Sequence, residues 1–155
     1  MSEMPYPGTK LGELNIQGPT SQVVCAALIQ CYRTVADQWG SVWSGEEFVQ
    51  MGGACVKILL PQASITAVIG RGGAHIKELR TNSGMHARVE QWTVPEGGGN
   101  LSEQCVTLSG PLVGLETAVP ALGDCAAMRM TEPWFSRWAW TSHCGLQVTG
   151  QSVDL

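Results

Sequence analysis

The sequence predicts an α+β fold with one β-α-α-β-β-α unit at residues 54–123. Three β-rich segments each end at a turn signal, and apolar residues recur at helical spacing between and after them. The β-rich segments are 55–60, 86–92 and 105–109. The final helix, from Leu112 to Leu122, contains Pro120 and is predicted to close at Gly123. About 70 residues suffice for a small core when helices cover one face of a sheet.

The first half of the unit is predicted from its start and stop signals. The first strand ends at Pro61, which lacks the N–H group that a strand needs in order to continue. Ser64 is placed to cap a short helix that ends at Ile69. A second helix follows and is predicted to stop near Ser83–Gly84.

Between these two helices lies the sequence Gly70-Arg71-Gly72-Gly73, which we call the glycine joint. Glycine adopts positive φ without steric cost and lets another backbone approach closely. The first N–H groups of the following helix are unpaired within it and lie at the positive end of its dipole. The joint is therefore predicted to bind an anion, in the first place a phosphate, and the Arg71 guanidinium at its tip would add a positive charge.

The distribution of charge agrees with phosphate binding, although the whole chain has a net charge of −4. Residues 55–92 contain five basic and two acidic residues, a local balance of +3, and the remainder carries −7. Affinity for phosphates follows the local patch more than the total charge. The same basic residues are also compatible with an ordinary solvated helix face, so charge alone leaves both interpretations open.

The order of these motifs resembles a K-homology (KH) domain of the eukaryotic type I arrangement over about half of the chain. The resemblance implies a three-stranded antiparallel sheet covered by three helices. In detail it is similar to the poly(C)-binding and hnRNP-like multi-KH proteins, whose G-x-x-G loop clamps single-stranded nucleic acid. The segments that carry it are Val56–Pro61, Ile65–Gly73, Ile76–Arg80, Ser83–Val89 and Val106–Pro111.

The resemblance implies a groove for about four unpaired nucleotides and assigns roles to its lining residues. The sugar-phosphate backbone would lie against Gly70, Arg71, Gly72 and Gly73, with Lys77 on the next helix. An apolar floor for the bases would consist of Ala67, Val68 and Ile76. Watson–Crick edges, preferably of cytosine or uracil, would be read by Arg80 and Arg88, with Val89 beside them.

The function implied is non-enzymatic binding of pyrimidine-rich single-stranded RNA, or of single-stranded DNA. We expect a role in post-transcriptional regulation of mRNA, in the nucleus, the cytoplasm or both, with no cofactor, no metal and no membrane partner. The alternative is a degenerate KH fold that serves as a protein-interaction or dimerisation module. Its partners would be a second KH copy or other RNA-binding proteins.

Other classes of site fit the sequence poorly. A dinucleotide loop needs a third glycine where His75 stands, and no Lys-Ser/Thr follows the joint as in a P-loop. We expect His75 and His86 at the surface or the groove edge, and His143–Cys144 gives only a thin case for a metal. The longest apolar run, Val23–Ile29, is too short to span a membrane.

The flanks are predicted to lie outside the domain. Residues 1–10 are expected to be disordered, residues 11–36 to be a strand–helix remnant of a preceding KH repeat, and residues 37–53 to be a linker. The remnant is inferred from a match at an offset of 92 residues, where Leu14-x-Ile16-x-Gly18-Pro19 corresponds to Val106-x-Leu108-x-Gly110-Pro111. Its strand is predicted at Leu14–Gln17.

Residues 124–155 are predicted to be a tryptophan-rich tail, poorly ordered and outside any core. Its segment Trp134–Trp140 holds four aromatic residues in seven positions. Such a segment also suits base stacking or docking of a partner. The six cysteines show no C-x-x-C spacing, and we expect reduced thiols.

Overall fold

The computed structural model describes residues 6–7, 12–39, 53–94 and 100–141. Short 3₁₀ turns precede the third and fourth helices, at Arg71–Gly73 and Leu112–Gly114. The strands and longer helices are α1 (Ser21–Trp39), β1 (Gly53–Pro61), α2 (Gln62–Ile69), α3 (Ala74–Ser83), β2 (His86–Val94), β3 (Glu103–Pro111), α4 (Leu115–Ala127) and α5 (Phe135–Trp140). The run from β1 to α4 has the predicted β-α-α-β-β-α order.

The three strands of the described chain form one antiparallel sheet with β3 in the centre. Val106 of β3 lies opposite Ile58 of β1 on one side and Val89 of β2 on the other. The register between β2 and β3 shifts after Val89 and resumes at Thr93. Because side chains alternate along a strand, the sheet has a helix-facing side and an outer side.

The hydrophobic core lies between the helix-facing side of the sheet and helices α2, α3 and α4. Removal of these apolar side chains from water is the dominant stabilising contribution to a fold of this size. The predicted fold class, a three-stranded antiparallel sheet covered by three helices, is confirmed. Core side chains include Ala54, Leu60, Ile65, Val68, Leu79, Ala87, Val106, Leu108, Leu115 and Leu122.

Helix α1 packs antiparallel against α4 and joins the same core. Near its start, the Cys25 thiol donates to the Val119 carbonyl at 3.7 Å. Further along, the Arg33 guanidinium pairs with the Glu116 carboxylate. The hydroxyl of Tyr32 also accepts the N–H of Cys55 in β1, at 2.9 Å. The helix expected in a repeat remnant is therefore part of this domain's packing, and its origin in a repeat stays a prediction.

The segment before α1 differs from the prediction. Leu14–Gln17 form no strand, and within residues 12–20 Gly12 alone makes an isolated bridge. An extended segment needs a neighbouring strand to pair its backbone groups, and none of the three described strands pairs with Leu14–Gln17. Tyr6, expected in a disordered region, is buried, with its hydroxyl donating to Glu103 Oε1 at 2.8 Å.

Helix α2 begins earlier than predicted. It starts at Gln62, directly after Pro61, whose restricted φ suits the entry to a helix. Ser64 is therefore inside the helix and does not cap it. Its Oγ is buried without a hydrogen-bond partner among the described residues.

Helix α4 passes through Pro120 and continues to Ala127 instead of closing at Gly123. Proline has no N–H, so the Glu116 carbonyl loses its intrahelical donor. Gly123 is a contact point for α1 and not a cap, because a Cβ there would lie 2.5 Å from the Cys25 Sγ.

The predicted linker and tail fall partly outside the described residues. Helix α1 ends at Trp39 and β1 begins at Gly53. Most of the predicted linker, residues 40–52, lies outside the described residues. In the tail, residues 124–127 complete α4 and Phe135–Trp140 form α5. This part of the tail is therefore helical, in contrast to the prediction of poor order.

None of the five cysteines that the structure describes is in a disulfide bond. Cys31 is exposed, whereas Cys25, Cys105 and Cys125 are buried. Burial raises the pKa of all three buried thiols, that of Cys105 to about 11. In the described ranges, no helix is both long and apolar enough to cross a membrane.

Candidate nucleic-acid interface

The glycine joint connects α2 to α3 through a turn that glycine adopts most easily. Gly70, Gly72 and Gly73 have φ values of 72°, 61° and 78°. A side chain in this left-handed region costs about 1–2 kcal/mol per residue. The Gly70 N–H closes α2 by donating to the Thr66 carbonyl at 2.9 Å. The three glycines therefore permit two helices to meet across only four residues.

His75 fixes the joint from the α3 side. Its Nδ1 lies 2.9 Å from the Ala67 carbonyl and 3.2 Å from the Val68 carbonyl. A proton on Nδ1 caps carbonyl groups that the end of α2 leaves unpaired. Gly70 packs beneath the histidine, since a Cβ there would lie 2.6 Å from the His75 Cβ. His75 thus has a structural role at the joint that the sequence alone did not indicate.

The tip of the joint is open and cationic. Arg71, Gly72 and Lys77 are exposed, and a Cβ added at Gly72 would meet nothing within 4 Å. The Gly73 N–H donates to the Gly70 carbonyl at 3.1 Å, and the Ala74 N–H donates to the Arg71 carbonyl. These two donors are used inside the turn. Anion binding here therefore depends on the other amides of the turn and on the two cationic side chains.

The apolar floor differs from the predicted set. Val68 has no exposed surface and belongs to the core, so it cannot contact a base. Ile76 is almost buried at 9% exposure, whereas Ala67 is half-buried. Ile69, outside the predicted set, is 38% exposed at the end of α2.

The helical period explains the exchange of Val68 for Ile69. Ile65 and Val68, three positions apart, point into the core, and Thr66 and Ile69 share the exposed stripe. The polar side chain of Thr66 was the sequence signal that could have identified this stripe. The surface beside the joint is therefore formed by Ala67 and Ile69, with Ile76 at its edge.

Arg80, on α3, extends its side chain to the edge of β2. Its Nε and Nη2 both donate to the Ala87 carbonyl, at 3.0 and 2.6 Å. Among the strands of the described residues, β2 pairs with β3 alone. The guanidinium is thus held by one backbone acceptor, and its Nη1 donors are not committed to that bond. Val89 lies on the helix-facing side of β2, at the periphery of the core.

Arg88 does not join the other predicted base-reading residues, which is a correction to the predicted site. Its neighbours Ala87 and Val89 face the helices, so alternation places Arg88 on the outer side of the sheet. There it lies opposite Thr107 and pairs with the Glu90 carboxylate at 2.7 Å. Two consecutive strand residues cannot line the same groove.

The outer side of the sheet carries a connected polar cluster around Glu90. Its carboxylate accepts hydrogen bonds from Arg88 and from the Thr107 hydroxyl, the latter at 2.8 Å. The Lys57 ammonium donates to the same hydroxyl at 3.4 Å. Partial burial raises the pKa of Glu90, but these hydrogen bonds and positive charges together lower it below its ordinary value. The Glu90 carboxylate balances only one of the two cations, so the cluster keeps a net positive charge.

No group of three or more metal-ligating side chains occurs among the described residues. The predicted thin case for a metal at His143–Cys144 lies outside them. Cys125 lies 3.8 Å from His75 Nδ1, which brings the end of α4 close to the joint.

Comparison with known proteins identifies the class of domain. Residues 55–124 match the family model described as KH domain, within one residue of the predicted limits 54–123. Together with the observed strand and helix order, this match makes residues 55–124 a KH domain with the type I fold. Its G-x-x-G segment is the glycine joint between α2 and α3.

Two curated relatives from Drosophila melanogaster match part of this chain. The chain is 41% identical over 56 residues to "Ankyrin repeat and KH domain-containing protein mask". It is 36% identical over 55 residues to "RNA-binding protein Pasilla". Each match covers 36% of this chain but only 1% and 7% of the respective relatives. The resemblance to poly(C)-binding and hnRNP-like proteins stays a prediction.

Proposed function

We propose that this chain binds single-stranded RNA, with single-stranded DNA as a second ligand, in a groove between the glycine joint and the edge of β2. The observation that carries the proposal is the joint itself. Three glycines at positive φ present an exposed Arg71 at the start of α3. The name of one relative, an RNA-binding protein, supports the same class of ligand.

Phosphate groups would bind at the tip of the joint. The amides of Arg71 and Gly72 lie at the positive end of the α3 dipole, where an anion is stabilised. The side chains of Arg71 and Lys77 are exposed there and supply charge-assisted hydrogen bonds. Because few phosphates are neutralised, binding by this domain alone is expected to be weak and sensitive to salt.

Bases would lie between the joint's helices and β2. Ala67 and Ile69 offer apolar contact, and Val89 lies on the same side of the sheet as the helices. The bond to the Ala87 carbonyl restrains the Arg80 guanidinium, which lowers the entropy lost when a base binds. Its uncommitted donors match the adjacent O2 and N3 acceptors of cytosine, which supports a pyrimidine preference.

The cellular role that we propose is post-transcriptional regulation of mRNA, in the nucleus, the cytoplasm or both. A single weak domain gains affinity when it is linked to further copies on the same strand. This chain spans a small part of both relatives, so such linkage is a proposal for a longer protein.

The test is a paired substitution at the joint with a matched control. Arg71→Asp with Gly72→Asp adds two negative charges, whereas Arg71→Asn with Gly72→Asn has the same shape without them. Pyrimidine-rich single strands are titrated at low and physiological salt, and both variants are checked for unchanged unfolding. The Asp pair should abolish binding and the Asn pair should weaken it less. Equal binding by the parent and the Asp pair would refute the proposal.

The same experiment addresses the alternative of a protein-interaction module. In this chain α1 already covers α4, as the contacts of Cys25 and Arg33 show. If the parent self-associates, and the Asp pair self-associates equally well while neither binds oligonucleotide, the interaction module is supported instead. Sedimentation of both proteins distinguishes these results.

A further inference from the structure

The chain beyond α4 begins beside the glycine joint. Cys125, in the last turn of α4, has its Sγ 3.8 Å from the Nδ1 of His75. His75 in turn caps the end of α2, directly before Gly70. The residues that follow α4 therefore leave the domain at the same end as the proposed phosphate site.

This following segment stays compact. Successive turns are closed by the Met130 N–H to the Ala127 carbonyl at 3.2 Å, and by the Phe135 N–H to the Glu132 carbonyl at 3.0 Å. The Asn15 side chain donates to the Ala139 carbonyl at 3.3 Å, which ties α5 to the chain before α1. Helix α5 is thus held near the end of α4.

Three aromatic side chains of this segment pack against one another, and a fourth has an exposed ring. Phe135 lies 6.0 Å from Trp134 and 5.4 Å from Trp138, measured between ring centroids, and all three are half-buried. Trp140, in contrast, is 73% exposed.

Arg137 stands next to the exposed ring. Residues 137 and 140 are three positions apart on α5, so their side chains share one face. Arg137 is exposed and forms no ion pair with the residues that the structure describes, whereas Arg129 pairs with Glu132 at 3.7 Å. The face formed by Arg137 and Trp140, here called the α5 face, therefore carries a net positive charge beside an open indole.

We infer that the α5 face extends the single-strand surface beyond the joint and binds a further nucleotide. Trp140 stacks on its base and Arg137 contacts its phosphate. The inference rests on the proposed function, because a strand held at the glycine joint would extend from there to α5. An exposed aromatic ring with an adjacent cation is the combination that binds unpaired nucleotides without sequence preference. The unpaired cation favours a polyanion over an apolar protein partner.

The test compares a pyrimidine strand of about four nucleotides, enough to fill a KH groove, with one of about ten nucleotides. The parent should bind the longer strand more tightly, with quenching of tryptophan fluorescence. Trp140→Ala should lower affinity for the longer strand by about tenfold, as expected for loss of one stacked base. It should leave affinity for the shorter strand unchanged. Arg137→Gln should act in the same direction but less strongly.

Met130→Ala is the matched control, because Met130 is 57% exposed in the same segment but has no ring. It should bind both strands as the parent does. The inference would be overturned if Trp140→Ala lowered the affinity for both strands equally, or lowered the affinity for neither. The inference would also be overturned if the parent is a dimer, Trp140→Ala makes it a monomer, and the affinity for oligonucleotide does not change.

Failure of the proposed function gives a different result. In that case the Asp pair at Arg71 and Gly72 leaves binding of the shorter strand intact, or the parent binds neither strand. A third result would refute only the role of the α5 face. In that result the Asp pair abolishes binding of the shorter strand, but Trp140→Ala does not change affinity for the longer strand.

Discussion

Gly123 of α4 lies so close to Cys25 of α1 that a Cβ on the glycine would stand 2.5 Å from the cysteine Sγ. The Ser21 Oγ would lie 2.9 Å from the same Cβ. This contact holds a helix from outside the predicted unit against the domain. Any side chain at position 123 must displace α1 or force its residues to move.

Gly123→Leu tests that contact, because two effects of the substitution have opposite sign. Leucine favours a helix over glycine by about 1 kcal/mol, so an uncovered site would be stabilised. Overpacking against Cys25 should instead destabilise the fold by about 1–3 kcal/mol. Urea unfolding measures the sign. Adding Cys25→Ala should restore part of the loss, and a stabilised Gly123→Leu would show that α1 does not dock here.

Gly70→Ala and Gly72→Ala form a matched pair at the joint. Both positions have positive φ, at 72° and 61°, but only Gly70 packs beneath His75. Backbone strain should therefore appear in both variants, at about 1 kcal/mol for Gly72, whose ψ is 21°, and up to about 3 kcal/mol for Gly70, whose ψ of 174° is essentially restricted to glycine. Gly70→Ala should lose at least a further 1 kcal/mol from the clash. Equal free energies of unfolding in the two variants would contradict the described packing.

His75→Ala should destabilise the fold by about 1 kcal/mol, because the carbonyl groups of Ala67 and Val68 lose their cap. Hydrogen exchange should become faster at the end of α2, while the sheet amides keep their protection. His75→Asn retains a short donor and should lose less. Unchanged exchange at α2 in the alanine variant would exclude the capping role.

Glu90→Gln should reduce stability in a pH-dependent way. The folded state lowers the Glu90 pKa, so its stabilising contribution is present above the unfolded value of 4.5 and is lost as pH falls through the folded pKa. The free energy of unfolding of the parent should exceed that of the variant by about 1 kcal/mol near pH 7 and by less near pH 3. Urea unfolding at both values checks this, and a constant difference would show that the carboxylate charge is not responsible.

The joint and its helices could be predicted because their signals are local. Gly70, Gly72 and Gly73 predict a turn by themselves, and Gly84 ends α3 in the left-handed conformation, as expected at a helix C-terminus. The apolar spacing around these positions fixes which elements are helices. No information from distant parts of the chain is needed for this region.

Long-range packing explains what the sequence left open. The contact between Cys25 and Val119 joins residues 94 positions apart, so nothing near Gly123 distinguishes a helix contact from a helix end. Val68 and Ile69 are both apolar, and the helical spacing from the polar Thr66 is the one local signal that separates the buried residue from the exposed one. Arg88 was misplaced for a different reason, since the two-residue period of β2 alone assigns it to the side opposite Val89.

The most direct test of single-strand binding at the glycine joint is an amide chemical-shift titration of the full chain with a pyrimidine-rich single strand. Shifts are expected at Ile69, Gly70, Arg71, Gly72, Gly73, Lys77 and Ala87. The outer side of the sheet, represented by Lys57, Arg88 and Thr107, should remain unperturbed. Shifts confined to that outer side, or an unperturbed joint at saturating oligonucleotide, would contradict the account.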